Sequence, residues 1–116
     1  MNLYHVMFDL KDDAKATSFA HALDQWMALL SERGVIRGWR LLRRKLSLSS
    51  GQHRDFMLEV EVSDMAELDR AFRLIAAHDD EVEKRYAPVQ AMVAESEAGL
   101  YRPFPDPERA ERVAFL

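Results

Sequence analysis

Leu3-Tyr4-His5-Val6-Met7-Phe8-Asp9-Leu10 decides the architecture. Read as a strand, it sends Leu3, His5, Met7 and Asp9 to one face and Tyr4, Val6, Phe8 and Leu10 to the other. A strand with one wet face alternates apolar with polar residues. This one has a wholly apolar or aromatic face and a mostly apolar one, so both need cover. A chain of 116 residues supplies helices for one face and little for a second layer, which predicts that another subunit covers the other. The richer face, Tyr4, Val6, Phe8 and Leu10, is the expected subunit interface.

The rest of the chain supplies the layers in a simple order. Asp12 and Asp13 offer an N-cap and first-turn acids to a helix with Phe19, Ala20, Leu23, Trp26, Met27 and Leu30 on its apolar face, stopped by Gly34. Val35–Leu46 reads as a second strand, with Gly38 marking a bulge or a close backbone approach. After a turn over 47–52, Phe56, Leu58, Val60 and Val62 alternate with Asp55, Met57, Glu59 and Glu61, the cleanest two-residue period in the chain. The acidic face of this third strand lies beside Arg37, Arg40, Arg43, Arg44 and Lys45 of the second, so cross-strand ion pairs can fix the hairpin. Ser63 and Asp64 compete to cap a second helix bearing Met65, Leu68, Phe72 and Ile75. His78-Asp79-Asp80 breaks it. Helical spacing resumes with Val82, Tyr86, Val89 and Val93, where Pro88 should kink or divide the helix. Residues 96–102 read as the last strand, giving the order βαββαβ and an α+β class. One domain over 1–104 and a proline-stiffened tail over 105–116, with a short helix ending at the apolar Val113-Ala114-Phe115-Leu116, complete the chain.

Composition narrows function by exclusion. With 48% hydrophobic and 31% charged residues the chain can bury a core. The formal charge of −4 offers no pull towards nucleic acid or anionic lipid. Cysteine is absent, which removes disulfides, thiol catalysis and thiolate metal sites. No apolar run spans a membrane and no secretory leader is recognisable, so a cytoplasmic location is expected. The run Arg37 to Lys45 lies in an element order shared with the RNA-recognition motif, yet the third strand presents Asp55, Glu59 and Glu61 where that motif presents stacking aromatics. Acids there repel phosphate, so no nucleic-acid partner is expected.

The βαββαβ order, the opening Met1-Asn2-Leu3-Tyr4-His5-Val6-Met7-Phe8 and the break at His78-Asp79-Asp80-Glu81 resemble the dimeric α+β barrel superfamily of ferredoxin-like domains, nearest the stress-responsive barrel proteins. Leu100-Tyr101-Arg102-Pro103-Phe104-Pro105-Asp106 is similar to the end of a small uncharacterised bacterial family. The resemblance implies a four-stranded antiparallel sheet and a homodimer formed through sheet faces. It does not assign chemistry, because the fold hosts monooxygenases, haem-degrading enzymes, cyclases and proteins without known activity.

The same resemblance singles out His5. In the superfamily's plant polyketide cyclase a histidine at this place lines a pocket between sheet and helices, which implies that His5 points at the helices here. That cyclase has a histidine pair after its second helix, of which only His78 is matched, leaving Glu81 as a substitute base. A catalytic set of His5, Glu81 and Tyr86 and a ligand-binding set of Met7, Trp26 and His78 follow. The plainer reading has His78 and its acidic neighbours ending one helix and capping the next. Trp26, Trp39, Tyr86 and Tyr101 are candidates for an aromatic ligand site or for core packing. His78 and Glu81 provide two ligands at i and i+3 and no third, so no metal and no cofactor are expected. Two functions stay open: a homodimer that is non-catalytic or binds a small apolar or aromatic molecule between sheet and helices, or a cofactor-independent monooxygenase or polyketide-cyclase-like enzyme using His5.

Overall fold

The computed structural model describes residues 1–45, 51, 53–77 and 79–106. Its elements are β1 (Asn2–Leu10), α1 (Ala16–Glu32), β2 (Gly38–Arg43), β3 (Phe56–Val62), α2 (Met65–Ala76), α3 (Asp80–Met92) and β4 (Val93–Tyr101). The strands form one antiparallel sheet in the order β2-β3-β1-β4, the α+β ferredoxin-like arrangement expected. All three helices lie on one side of it.

Which side is a correction. Phe8 is buried, its ring stacked 5.5 Å from Phe56 and tilted 5.1 Å from Phe19 of α1. Tyr4, Val6 and Leu10 pack against the same core. The Tyr4 face of β1 therefore meets the helices, and Leu3, His5, Met7 and Asp9 occupy the outer face. Burial explains the choice: the outer alternates include Asp9, whose carboxylate is tied to Arg54 and the Asp55 amide, whereas Val6, Phe8 and Leu10 on the inner side lose their water without needing a partner. His5 does not point at the helices, and the expected subunit interface is the protein's own core.

Local signals fixed most element ends. Gly34, at φ +70°, follows Arg33, the C-cap of α1, and accepts the left-handed turn a side chain would resist. Asp64 wins the cap of α2: its Oδ1 accepts from the Glu67 amide at 2.8 Å. The Glu67 carboxylate returns to Ser63, accepting from its amide at 3.1 Å and its hydroxyl at 3.0 Å. Glu67 is fully buried and also takes a 2.9 Å ion pair from Arg37, so a charge that would be costly alone is satisfied from several sides.

Five expectations shift. The cap of α1 is Lys15, without a side-chain bond, and not Asp12 or Asp13. Strand β2 stops at Arg43, and β4 begins at Val93, directly after α3. Pro88 does not divide α3, which is continuous from Asp80 to Met92. The hairpin pairs are narrower than the run of arginines suggested: Arg40 bonds Glu59 through Nε and Nη2 at 2.9–3.2 Å and Arg44 meets Asp55 at 2.8 Å, while Arg43 lies 5.2 Å over the Phe56 ring. The expected tail helix over 107–113 and the turn residues 46–50 and 52 lie outside the described residues.

Candidate functional site: a cavity between sheet and helices

Helices α1 and α3 pack closely, with Trp26 and Tyr86 rings 5.1 Å apart and Arg85 donating to the Gln25 carbonyl at 3.3 Å. Helix α2 rests more loosely on β3 and α3. Between these helices and the inner sheet face is a cavity of 340 Å³, within the range of small-molecule sites. Its floor is Tyr4, Val6 and Phe8 of β1 with Leu58 and Val60 of β3. Trp26 and Tyr86 form one wall, and Leu68, Ala71, Phe72 and Ile75 of α2 the other. Phe72 stands edge-on to Tyr4, ring centres 5.6 Å apart, and is 47% exposed, which puts this pair at the rim.

No charged side chain among the described residues lines the cavity. Its lining residues with polar groups are Tyr4, Tyr86 and Ser96, which carry hydroxyls, Gln90, an amide, and Trp26, an indole N–H. Tyr86 and Gln90 are four residues apart on α3, hence on one helix face, and Ser96 pairs with Phe8 across the β1–β4 ladder. The arrangement can enclose an apolar ring and hydrogen-bond a few substituents on it. A bare ion would lose its hydration there with nothing of opposite charge to replace it.

Of the residues expected from sequence, Trp26 and Tyr86 come together in this cavity. His5 and Met7 do not; both sit on the opposite face of the sheet, His5 edge-on to Tyr101 at 5.6 Å. Glu81 lies in the first turn of α3, outside the cavity, and accepts a 2.9 Å ion pair from Arg85. Asp79 caps that helix, its Oδ1 accepting from the Glu81 and Val82 amides. His78 lies outside the described residues. Trp39 packs on the core beside Val60 without lining the cavity, and Tyr101 belongs to the outer face. Sequence reasoning missed Tyr4, Gln90 and Ser96. Gln90 had a signal, its i+4 spacing from Tyr86; Tyr4 was hidden by assigning its face to the interface.

The shifted ionisations lie elsewhere, at the far end of the outer face. Arg54 donates to Glu97 at 2.9 Å, Asp9 at 3.0 Å and Glu95 at 2.7 Å, and these bonds hold its guanidinium protonated more firmly than usual. Asp9 also accepts from the Asp55 amide at 2.9 Å, and chiefly for that reason its carboxyl is held below the usual carboxylate range. Among the described residues no cluster of three or more His, Asp or Glu could hold a metal, and no helix is long and apolar enough to cross a membrane.

Comparison with known proteins gives a family and a fold. The profile of a family of unknown function, DUF6614, matches residues 1–116. Similar solved structures include a DABB family protein with a ferredoxin-like fold from Mesorhizobium loti (TM-score 0.63, 20% identity, covering 89% of this chain and 96% of that one). A dimeric ferredoxin-like protein of unknown function from Thermobifida fusca superposes with TM-score 0.59 at 16% identity, covering 87% and 90%. SnoaB, a cofactor-independent oxygenase from Streptomyces nogalater, does so with TM-score 0.65 at 14% identity, covering 90% and 97%. At these identities the likeness is one of fold. No curated protein matches the chain.

Proposed function

The chain belongs to DUF6614, a family of unknown function, and from that premise we propose that it is a non-catalytic homodimer which binds a small apolar or aromatic molecule between sheet and helices. The observation that carries the reading is the 340 Å³ cavity, walled by aromatic and aliphatic side chains with uncharged polar groups among the described residues that line it. Dimerisation is supported by the outer face, where Leu3, Met7 and Met57 are half-buried and Leu42 and Tyr101 are 42% and 60% exposed. It is supported also by the dimeric fold relatives. The alternative, an oxygenase or cyclase built on His5, Glu81 and Tyr86, retains only Tyr86 at the cavity.

The test is a titration with 2-naphthol, an uncharged aromatic carrying one hydroxyl, followed by tryptophan fluorescence. In the Trp39→Phe variant Trp26 is the sole reporter, and saturable quenching is expected. Ala71→Phe should abolish it by filling the cavity, and Tyr86→Phe should weaken it about fivefold through loss of one hydrogen bond. Absence of saturable quenching, or binding undiminished in folded Ala71→Phe, would overturn the assignment.

A further inference from the structure

The polar groups of the cavity are not spread evenly round it. Towards α1 it ends blind on Phe19, Leu23 and Met27, each 1–2% exposed. Where α3 gives way to β4, by contrast, Tyr86, Gln90 and Ser96 bring two hydroxyls and an amide to the lining. Gln90 and Ser96 are exposed, so this end is open to water.

Ser96 reaches the inside by a device of the backbone. Val93 and Ser96 are three residues apart, and an unbroken strand would send them to opposite faces. Both line the cavity. Leu10 pairs with Val93 and Asp9 with Glu95, so Ala94 is an extra residue on β4 and the register shifts there. A bulge of this kind re-aims the side chains beside it and is over-represented next to active sites. On α3, Gln90 follows Tyr86 by four residues and stands on the same helix face, one turn nearer β4. Because β4 starts at Val93, directly after α3, the chain folds back within the few residues that separate Gln90 from Ser96. Among the described residues no hydrogen bond engages the side chain of Tyr86, Gln90 or Ser96. Each of these groups is uncharged and can both donate and accept. A ligand group that does both can use them together, whereas a charged group would give up its water for partners none of which is charged.

We infer that the ligand is an aromatic molecule with one uncharged group that both donates and accepts hydrogen bonds, such as a hydroxyl, and that it lies with its ring towards α1 and that group between Gln90 and Ser96. The inference rests on the cavity reading proposed above and adds the ligand's chemistry and orientation. Gln90 and Ser96 are then the residues that set specificity, and the bulge at Ala94 is what turns the second of them inwards along with Val93.

Three ligands of one ring system separate the contributions, each followed by tryptophan quenching in the Trp39→Phe background: naphthalene, 2-methoxynaphthalene and 2-naphthol. Gln90→Met and Ser96→Ala should each weaken 2-naphthol about fivefold and leave naphthalene within about twofold, because only the former has a group for them to bond. Retained naphthalene binding also shows that the variants fold. Their combination should weaken 2-naphthol about twentyfold and 2-methoxynaphthalene, which accepts but cannot donate, only about fivefold. Tyr4→Phe, at the opposite rim, should leave all three unchanged. Undiminished 2-naphthol binding in both single variants, or a loss that naphthalene shares, overturns the orientation. So does a loss in Tyr4→Phe that matches theirs, since the hydroxyl would then lie at the rim beside α2. Equal weakening of 2-naphthol and its methyl ether overturns the need for a donor. If neither naphthalene nor 2-naphthol quenches Trp26 saturably before these substitutions are made, the cavity reading itself fails.

Discussion

Asn2 is wholly buried, and neither its side-chain oxygen nor its nitrogen has a hydrogen-bond partner among the described residues. A buried amide without partners carries a desolvation cost of about 1–3 kcal/mol, whereas leucine has nearly the same shape and no such cost. Asn2→Leu should therefore raise stability by about that amount, read as a higher urea midpoint at unchanged slope. Arg54 is the opposite case, a cation that joins β3 to β1 and β4 through Asp9, Glu95 and Glu97. The Asp9 carboxyl is depressed, first by the Asp55 amide and then by Arg54. A depressed carboxylate contributes stability above its unfolded value, and the contribution is lost as pH falls through the folded value. Acid unfolding below about pH 4 should thus be less steep in Asp9→Asn than in the unaltered protein. A denaturant series at pH 7, 4 and 3 checks this; equal pH dependence in the two proteins would contradict it.

At the scale of elements, sequence was most readable where one signal acted alone. The alternation of β3 stood out because Glu59 and Glu61 oppose Phe56, Val60 and Val62, and the Asp64 cap because its acceptor and Glu67 are spaced for the purpose. Removing that cap, Asp64→Ala, should cost about 1 kcal/mol, measurable as a lower melting temperature. Strand β1 was harder for a physical reason: both faces are apolar enough to be buried, so period alone cannot say which meets the helices. The resemblance that placed His5 inward rested on a single residue, and the aromatic trio Phe8, Phe19 and Phe56 outweighed it. The site suffered with it. Helical spacing puts Trp26 and Tyr86 on the apolar faces of their helices, but Tyr4 and Ser96 reach the cavity only through the pairing of β1 with its neighbours, which no local pattern encodes.

At the scale of the molecule, the proposed dimer divides folding and assembly between the two faces of β1, and neighbouring residues can test this. Phe8 is 3% exposed inside the aromatic cluster, so Phe8→Asp places an unpaired charge in the core, a cost of several kcal/mol that a domain of this size can rarely absorb. That variant should be unfolded by circular dichroism at any concentration. Met7, one residue earlier, faces outward between Met57 and Glu97. In an isolated subunit Met7→Asp keeps its new charge in water, so the fold should survive. In the proposed outer-face dimer the same change brings two carboxylates into the interface beside Glu97, where they are desolvated and repel. The expected result is a folded monomer with a native-like far-ultraviolet spectrum and halved mass by sedimentation. It should still quench with 2-naphthol, because the cavity lies on the other side of the sheet. A Met7→Asp protein that stays dimeric would remove the outer face from assembly, and one that loses naphthol binding while folded would mean that the cavity depends on the partner.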